Sequence, residues 1–336
     1  MSNFKLYLDP NFSHSTHKIG LKDSIFLIGS CFSENIFALL SQRKFSVMSN
    51  PYGILFDILS IERCFSEIYN KKKYRLEDLF LYHDLYGSWN HHTNFSNLSA
   101  QTALKSINNS IIKSETFLSQ AQHVIITLGS AFSYFHNDEN IWVANCHKAP
   151  QNDFRKTLLP INDILKSLEN IYDLLLKINP GIKLTLTISP VRHLRDGVIE
   201  NNRSKARLIE AINLITQKHP EIYYFPSYEI VIDVLRDYRF FDIDFAHPNY
   251  LATNIVFDYF KNLCIDSNSY EDMDKFHQLH LAMNHRAKHG GTVEHINFLK
   301  SYIAKIFEYM KSNPHINFTK EQEYFENELK NLEIRS

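Results

Sequence analysis

Glycine is scarce in this chain, at 9 of 336 residues, so each glycine that directly follows an apolar run marks a strand end or a tight turn. Cysteine is scarcer still. Cys31, Cys64, Cys146 and Cys264 are far apart and form no CxxC pair, which argues against a structural zinc site, offers no disulfide framework and reads as four reduced thiols. Charge of one sign is also lacking: 36 Lys and Arg stand against 37 Asp and Glu, a net charge of -1. Such a balance does not supply the broad attraction that nucleic acid or an anionic membrane requires. No apolar run is long enough to span a bilayer, and Met1 to Leu6 lacks the apolar stretch of a signal peptide, so a cytoplasmic protein is expected. No HxH, HExxH or carboxylate-rich spacing presents a ready set of metal ligands, and neither metal nor cofactor is expected. Internal repeats and low-complexity linkers are absent as well.

What remains is an apolar content of 44%, enough for a substantial core. Three apolar runs stop abruptly: Ser24 to Ile28 at Gly29, His123 to Leu128 at Gly129, and Lys183 to Ile188 at Ser189-Pro190. With Phe45 to Met48 and Ile222 to Phe225 they make a set of about five strands. Helical spacing of apolar residues occupies Ser33 to Ser41, Asp57 to Asn70, Ile161 to Asn179 and Asn202 to Lys218, between the strands. Alternation of this kind predicts an α/β fold with a doubly wound parallel sheet, whose ligands gather beyond the carboxyl ends of the strands. From Asp266 the chain turns polar and helix-forming, with Phe276 to His285 and Val293 to Met310 the clearest amphipathic segments. The expected division is therefore a domain at 1–265 and a helical extension at 266–336.

Two distant segments carry residues suited to acyl chemistry. In Gly29-Ser30-Cys31-Phe32-Ser33 a thiol and hydroxyls stand where a strand turns into a helix. Unpaired amides and the positive end of the helix dipole at such a place lower a thiol pKa and help hold an oxyanion. The plainer alternative is a serine helix cap beside a small buried cysteine. In Asp244-Phe245-Ala246-His247-Pro248 an acid and a base lie three residues apart, just before a helix expected at Asn249 to Asn262. That spacing lets an aspartate orient an imidazole, as a nucleophile–His–Asp triad needs, although an N-cap contact beside a surface histidine has the same pattern. Arg192 and His193 follow the strand ending at Ile188, where they would grip a carboxylate or phosphate. Asn145, His147 and Lys148, together with Trp89, His91 and His92, would wall an acyl or sugar-like ligand. His285, Arg286 and His289 are candidates for a lid.

These blocks, with Asn50-Pro51-Tyr52-Gly53, Thr127-Leu128-Gly129-Ser130, Ala144 to Lys148, Ser189 to His193 and Asn202 to Lys205, resemble the SGNH/GDSL hydrolase superfamily and, within it, the GSCFA-domain family. The resemblance covers about residues 20 to 260. It implies a three-layer α/β/α, flavodoxin-like architecture and ester or other acyl chemistry on a small-molecule or glycan substrate. Cys31 falls at the superfamily's nucleophile position and Ser30 at that of its aspartate, so the attacking group is Cys31 or a serine displaced by one. Asp244 and His247 match the acid and base, and Gly53 matches an oxyanion-hole glycine. The superfamily's third-block asparagine is missing from Gly129-Ser130-Ala131-Phe132, leaving Ser130 or Asn145 as replacements. Hydrolysis, O-acetyl transfer from the same intermediate, and a catalytically degenerate binding module are the three functions this pattern allows.

Overall fold

The structure, a computed structural model, describes residue 8 and residues 10–285 and 290–333. The chain divides into two compact units. One comprises the residues up to Ile19, with Asp23–Ala38 and Val47–Ile265; the other comprises Gly20–Lys22, Leu39–Ser46 and the residues from Asp266 onward.

The first unit is built on the strands β1 (Ser24–Gly29), β2 (Ser46–Ser49), β3 (His123–Leu128), β4 (Lys183–Ile188) and β5 (Tyr223–Phe225), joined in the order β2-β1-β3-β4-β5. All five lie where the apolar runs place them. The pairings β1 to β3, β3 to β4 and β4 to β5 are parallel, and Gly29, Thr127, Thr187 and Phe225 stand in one row across them. The segments after β1, β3 and β4 therefore leave the sheet along the same edge. Val124, Ile125 and Ile126 are consecutive and all buried, the mark of a strand covered on both faces and the reason the β1 and β3 runs are continuous rather than alternating.

Helices α1 (Cys31–Ser41), α2 (Ile58–Tyr69), α3 (Ala100–Leu118), α4 (Ile161–Ile178), α5 (Val198–Lys218) and α6 (Tyr250–Cys264) connect or flank the strands. Phe26, Ile28, Val124, Ile126, Leu184 and Leu186 share a core with Ile61 and Phe65 of α2, Ile107 and Ile111 of α3, Leu168 and Ile171 of α4, and Leu208 and Ile212 of α5. Elsewhere Phe225 at the end of β5 meets Phe260 of α6 edge to face, with ring centroids 5.3 Å apart. Asp57 starts α2 by accepting the Ser60 amide proton, and Asn249 starts α6 by accepting that of Ala252, so both helices begin at a side-chain cap.

Two small antiparallel sheets and α3 go beyond what the sequence reading anticipates. Phe80–Tyr82 pairs with Leu85–Gly87, and Phe132–His136 lies between Ile141–Val143 and Phe154–Leu158. These strands are three to five residues long, too short for an alternating pattern to stand out. Helix α3 is mostly polar; it buries Ala103, Ile107, Ile111, Ser114 and Leu118, and Leu104 and Phe117 pack partly buried against the core.

The second unit contains α7 (Tyr270–Asn284), α8 (Val293–Ser312) and α9 (Thr319–Glu333). Phe276, Leu279, Leu299, Ile306, Phe318 and Phe325 form its core, and Tyr302 stacks on Phe325 at 5.3 Å. Lys44 Nζ is 2.6 Å from Glu321 Oε1. His285 follows α7 and faces the Phe298 ring; Arg286 and His289 lie outside the described residues. Among the described residues, no helix is long and apolar enough to cross a membrane.

Ile126 is fully buried at the centre of the first unit's core. Replacing it with alanine is expected to lower unfolding stability by about 3 kcal/mol, measurable as a shifted midpoint in urea without a change in slope.

Candidate active site

The turn after β1 is held by its backbone. Gly29 has φ +136, and a Cβ there would lie 2.1 Å from the Thr127 carbonyl oxygen of β3; only glycine fits that conformation against so close a neighbour. Its N–H donates to Asn50 Oδ1 at 2.8 Å, its carbonyl accepts from the Leu55 amide at 3.0 Å, and the Ser30 amide donates to the Thr127 carbonyl at 3.1 Å. The Asn50 side-chain amide in turn donates to Glu34 of α1. Asn50 thus ties the strand end to the helix that follows it, which explains a polar residue at the head of Asn50-Pro51-Tyr52-Gly53. Tyr52 of the same stretch donates to Glu67 at 2.8 Å inside the core.

Ser30 and Cys31 have different surroundings. Ser30 is 1% exposed, and its Oγ accepts the Phe32 amide proton at 3.3 Å. Cys31 opens α1 and is partly exposed. Burial raises its thiol pKa above the ordinary value, and the Cys31 and Phe32 amides and the Lys205 amine offset only part of that rise.

Asp244 and His247 form the bonded pair that their spacing suggests, with 2.6 Å between His247 Nδ1 and Asp244 Oδ2. Asp244 Oδ1 also accepts the amides of Ala246 at 2.9 Å and His247 at 3.0 Å. Those amides, with the imidazole, hold the carboxyl pKa down at about 2. Both side chains are about half exposed. Among the described residues, no hydrogen bond joins His247 to Ser30 or Cys31. The pair is nevertheless tied to the sheet edge, because the Arg192 amide donates to the Ala246 carbonyl at 3.1 Å.

Arg192 and His193 follow β4 as expected, and each carries a buried nitrogen without a partner, Nε of Arg192 and Nε2 of His193. Burial first, then Lys205, Lys156 and His247, hold the His193 pKa down at about 4. Its ring is therefore neutral at pH 7.

A model of the GSCFA family matches residues 24–260, and a model of the GSCFA domain protein, C-terminal domain, matches residues 276–331. The chain belongs to the GSCFA family. Comparison with curated proteins finds no match.

Other residues singled out in this GSCFA chain are already engaged. The Gly53 amide donates to the Asn50 carbonyl at 2.7 Å, and a Cβ on Gly53 would meet His92 Cβ at 2.2 Å; its N–H is spent on the turn rather than presented to a ligand. Ser130 Oγ accepts the Phe132 amide at 3.0 Å and lies 3.3 Å from Ser204 Oγ. Asn145 Oδ1 accepts the His147 amide at 2.8 Å, and His147 Nε2 lies 3.0 Å from the Ser88 carbonyl. His147 packs edge-on against Phe80 and Trp89, while His92 Nδ1 accepts the Asn94 amide at 3.3 Å. Asn145, His147 and His92 have no hydrogen bond to the Ser30-Cys31 turn among the described residues. No group of three or more His, Cys, Asp or Glu is placed to hold a metal ion among them either.

Helix α5 gives a role to residues that the sequence reading names, in the block Asn202 to Lys205, without assigning them one. Its buried face begins with Asn201, Ser204 and Lys205 and continues as Leu208, Ala211, Ile212 and Ile215. Asn201 accepts the His193 amide at 2.9 Å, and Ser204 accepts that of Ala131 at 2.8 Å. Lys205, 1% exposed, donates to the carbonyls of Gly129 and Ser189, each at 2.7 Å. Three polar side chains on one helix face thereby hold the loops that follow β3 and β4. The available signal was a lysine at helical spacing from an apolar stripe, where an exposed position would be the usual place for its charge.

Burial lowers the Lys205 pKa to about 7. Between that value and about 10.4, where a free lysine titrates, the unfolded chain holds a proton that the native chain lacks, so native stability rises with pH. Lys205→Met should remove up to about 1.4 kcal/mol per pH unit of that rise, read from urea melts between pH 7.5 and 9.5. Gly29→Ala should cost at least about 2 kcal/mol through strain and collision with the Thr127 carbonyl, read from the same melts.

Proposed function

We propose that this GSCFA protein is an acyl-transfer enzyme of the SGNH type, cleaving ester bonds of an acylated small molecule or glycan. Cys31 attacks the acyl carbon, His247 is the acid–base group, and Asp244 orients its ring and stabilises the imidazolium. The Asp244–His247 bond of 2.6 Å, on a loop anchored to the segment after β4, carries this reading. The strand order β2-β1-β3-β4-β5 supports a flavodoxin-like, three-layer arrangement, in which ligands bind at the switch point between β1 and β3. Cys31 follows β1 at that point, and Gly129 and Ser130 follow β3.

Cys31 is the better nucleophile of the two candidates because Ser30 is buried and its oxygen serves the Phe32 amide. The amides at the start of α1, which offset part of the rise that burial imposes on the thiol pKa, are also suited to an oxyanion. Arg192 and His193, with their unpartnered buried nitrogens, fit the polar end of a substrate. Hydrolysis and transfer to an alcohol share the same acyl-enzyme and differ only in the acceptor. A binding module without turnover is favoured by one observation, the Gly53 amide already committed to Asn50.

Acyl p-nitrophenyl esters, with adducts located by peptide mass spectrometry, test the proposal. Cys31→Ala and His247→Ala should abolish turnover and Asp244→Asn should reduce it by on the order of 10³-fold or more. Ser30→Ala should leave it within about threefold, since that hydroxyl makes no transition-state contact in this mechanism. Full activity in both Cys31→Ala and Ser30→Ala would rule out the covalent route; no turnover and no selective adduct in the wild type would favour the binding module.

A further inference from the structure

The loop that carries Asp244 and His247 is apolar where it meets water. Between residues 238 and 251, Tyr238, Ile243, Phe245, Tyr250 and Leu251 are all more than half exposed, Ile243 at 96% and Tyr250 at 83%. Single apolar side chains on a surface need no explanation, but several in one segment mark an interaction site. The backbone holds them outward. Phe241 pairs with Pro248, the Asp242 amide donates to the His247 carbonyl at 2.8 Å, and the Phe245 amide donates to the Asp242 carbonyl at 2.9 Å. Asp244 closes the turn by accepting the amides of Ala246 and His247.

Within this frame the small residue is turned in and the large ones out. Ala246 is buried, and its carbonyl accepts the Arg192 amide; Ile243 protrudes, and the Phe245 ring lies edge-on to Tyr238 with centroids 5.7 Å apart. Phe245 has φ +54, a left-handed conformation that strains a bulky residue and persists only where the surrounding bonds over-determine it. Asn249 ties the start of α6, and with it Tyr250 and Leu251, to the same loop: its amide donates to the Phe240 carbonyl at 3.0 Å and its side chain to the Arg239 carbonyl at 2.7 Å.

We propose that this loop docks on a lipid–water interface, Ile243 and Phe245 entering the apolar layer while the amphipathic rings of Tyr238 and Tyr250 stand at the headgroups. Two observations favour a lipid surface over a protein partner. Five side chains on a protruding turn fall well short of the roughly 20–30 residues a side of a stable protein interface. The half-exposed Asp244–His247 pair also sits among them, so a protein seated on the tip would close the pair off, whereas a layer of acylated amphiphile brings esters to it. From Arg236 to Asp244 the segment holds two arginines against Asp237, Asp242 and Asp244, so apolar insertion rather than attraction to anionic headgroups drives the docking. As an account of substrate delivery, the inference rests on the reading of this pair as the acid and base of an acyl-transfer site.

The experiment is flotation of the full-length protein with phosphatidylcholine vesicles on a density gradient. The wild type should float, and equally at low and high salt. Ile243→Ser should lower partitioning on the order of tenfold, and its exposure leaves the fold untouched. Phe245→Asn, which suits the left-handed backbone, should do the same. Ile112→Ser, at an exposed apolar position on α3, should float as the wild type does. So should Cys31→Ala, which removes the proposed nucleophile, so docking and turnover fail separately. A wild type that stays with the solution, undiminished flotation of both Ile243→Ser and Phe245→Asn, or flotation confined to vesicles containing phosphatidylglycerol and lost in salt would each overturn the proposal. A dimer in sedimentation velocity that Ile243→Ser dissociates, with no flotation of the wild type, would overturn it in favour of a second copy of this chain on the tip.

Discussion

Everything at the edge of the sheet depends on the close approach of β1 to β3 at Gly29. With a side chain there the two strands could not keep their register, because the Thr127 carbonyl occupies the space that a Cβ would need. The same residue is held by Asn50 through its N–H and by Leu55 through its carbonyl. Three independent contacts therefore determine where the chain leaves β1 and where α1 begins. The start of α1 carries the Cys31 thiol and the amides that face it, so the position of that thiol follows from packing around a residue with no side chain.

Electrostatics at this edge are arranged by burial more than by ion pairs. Lys205 is removed from water with two carbonyl dipoles as its hydrogen-bond partners among the described residues, and its proton affinity falls. His193 loses affinity for its proton by burial and by the neighbouring positive groups. Asp244 shows the opposite behaviour: it remains in water, and backbone amides together with an imidazole favour its ionised form. Burial thus keeps Lys205 and His193 near neutrality, while hydrogen bonding keeps the exposed Asp244 charged.

Strands β1 and β3 were legible because each is a short apolar run stopped by glycine, and a strand covered on both faces has that pattern. Asp244 and His247 were legible for a local reason: a spacing of three residues before a helix leaves few ways to arrange the two side chains. The short antiparallel strands were not, since Phe132–His136 becomes a strand only when its two partners arrive from later in the chain. Asn145, His147, His92 and Gly53 looked available as polar groups or a free amide; the fold engages each of them in a turn, a cap or an aromatic contact.

The amino-acid sequence by itself determined the α/β class, the five strands, the helical character of the chain beyond Asp266, and the pairing of Asp244 with His247. All of these depend on local periodicity or on neighbours within a few residues. Only the tertiary structure decided the order of the strands and the neighbours of Cys31. Lys205 reaches the carbonyls of Gly129 and Ser189 across 76 and 16 residues of chain, and nothing in a lysine's immediate surroundings says whether its amine will end in water or on two buried carbonyls. That choice is made when α5 packs its apolar stripe against the sheet and carries the lysine in with it.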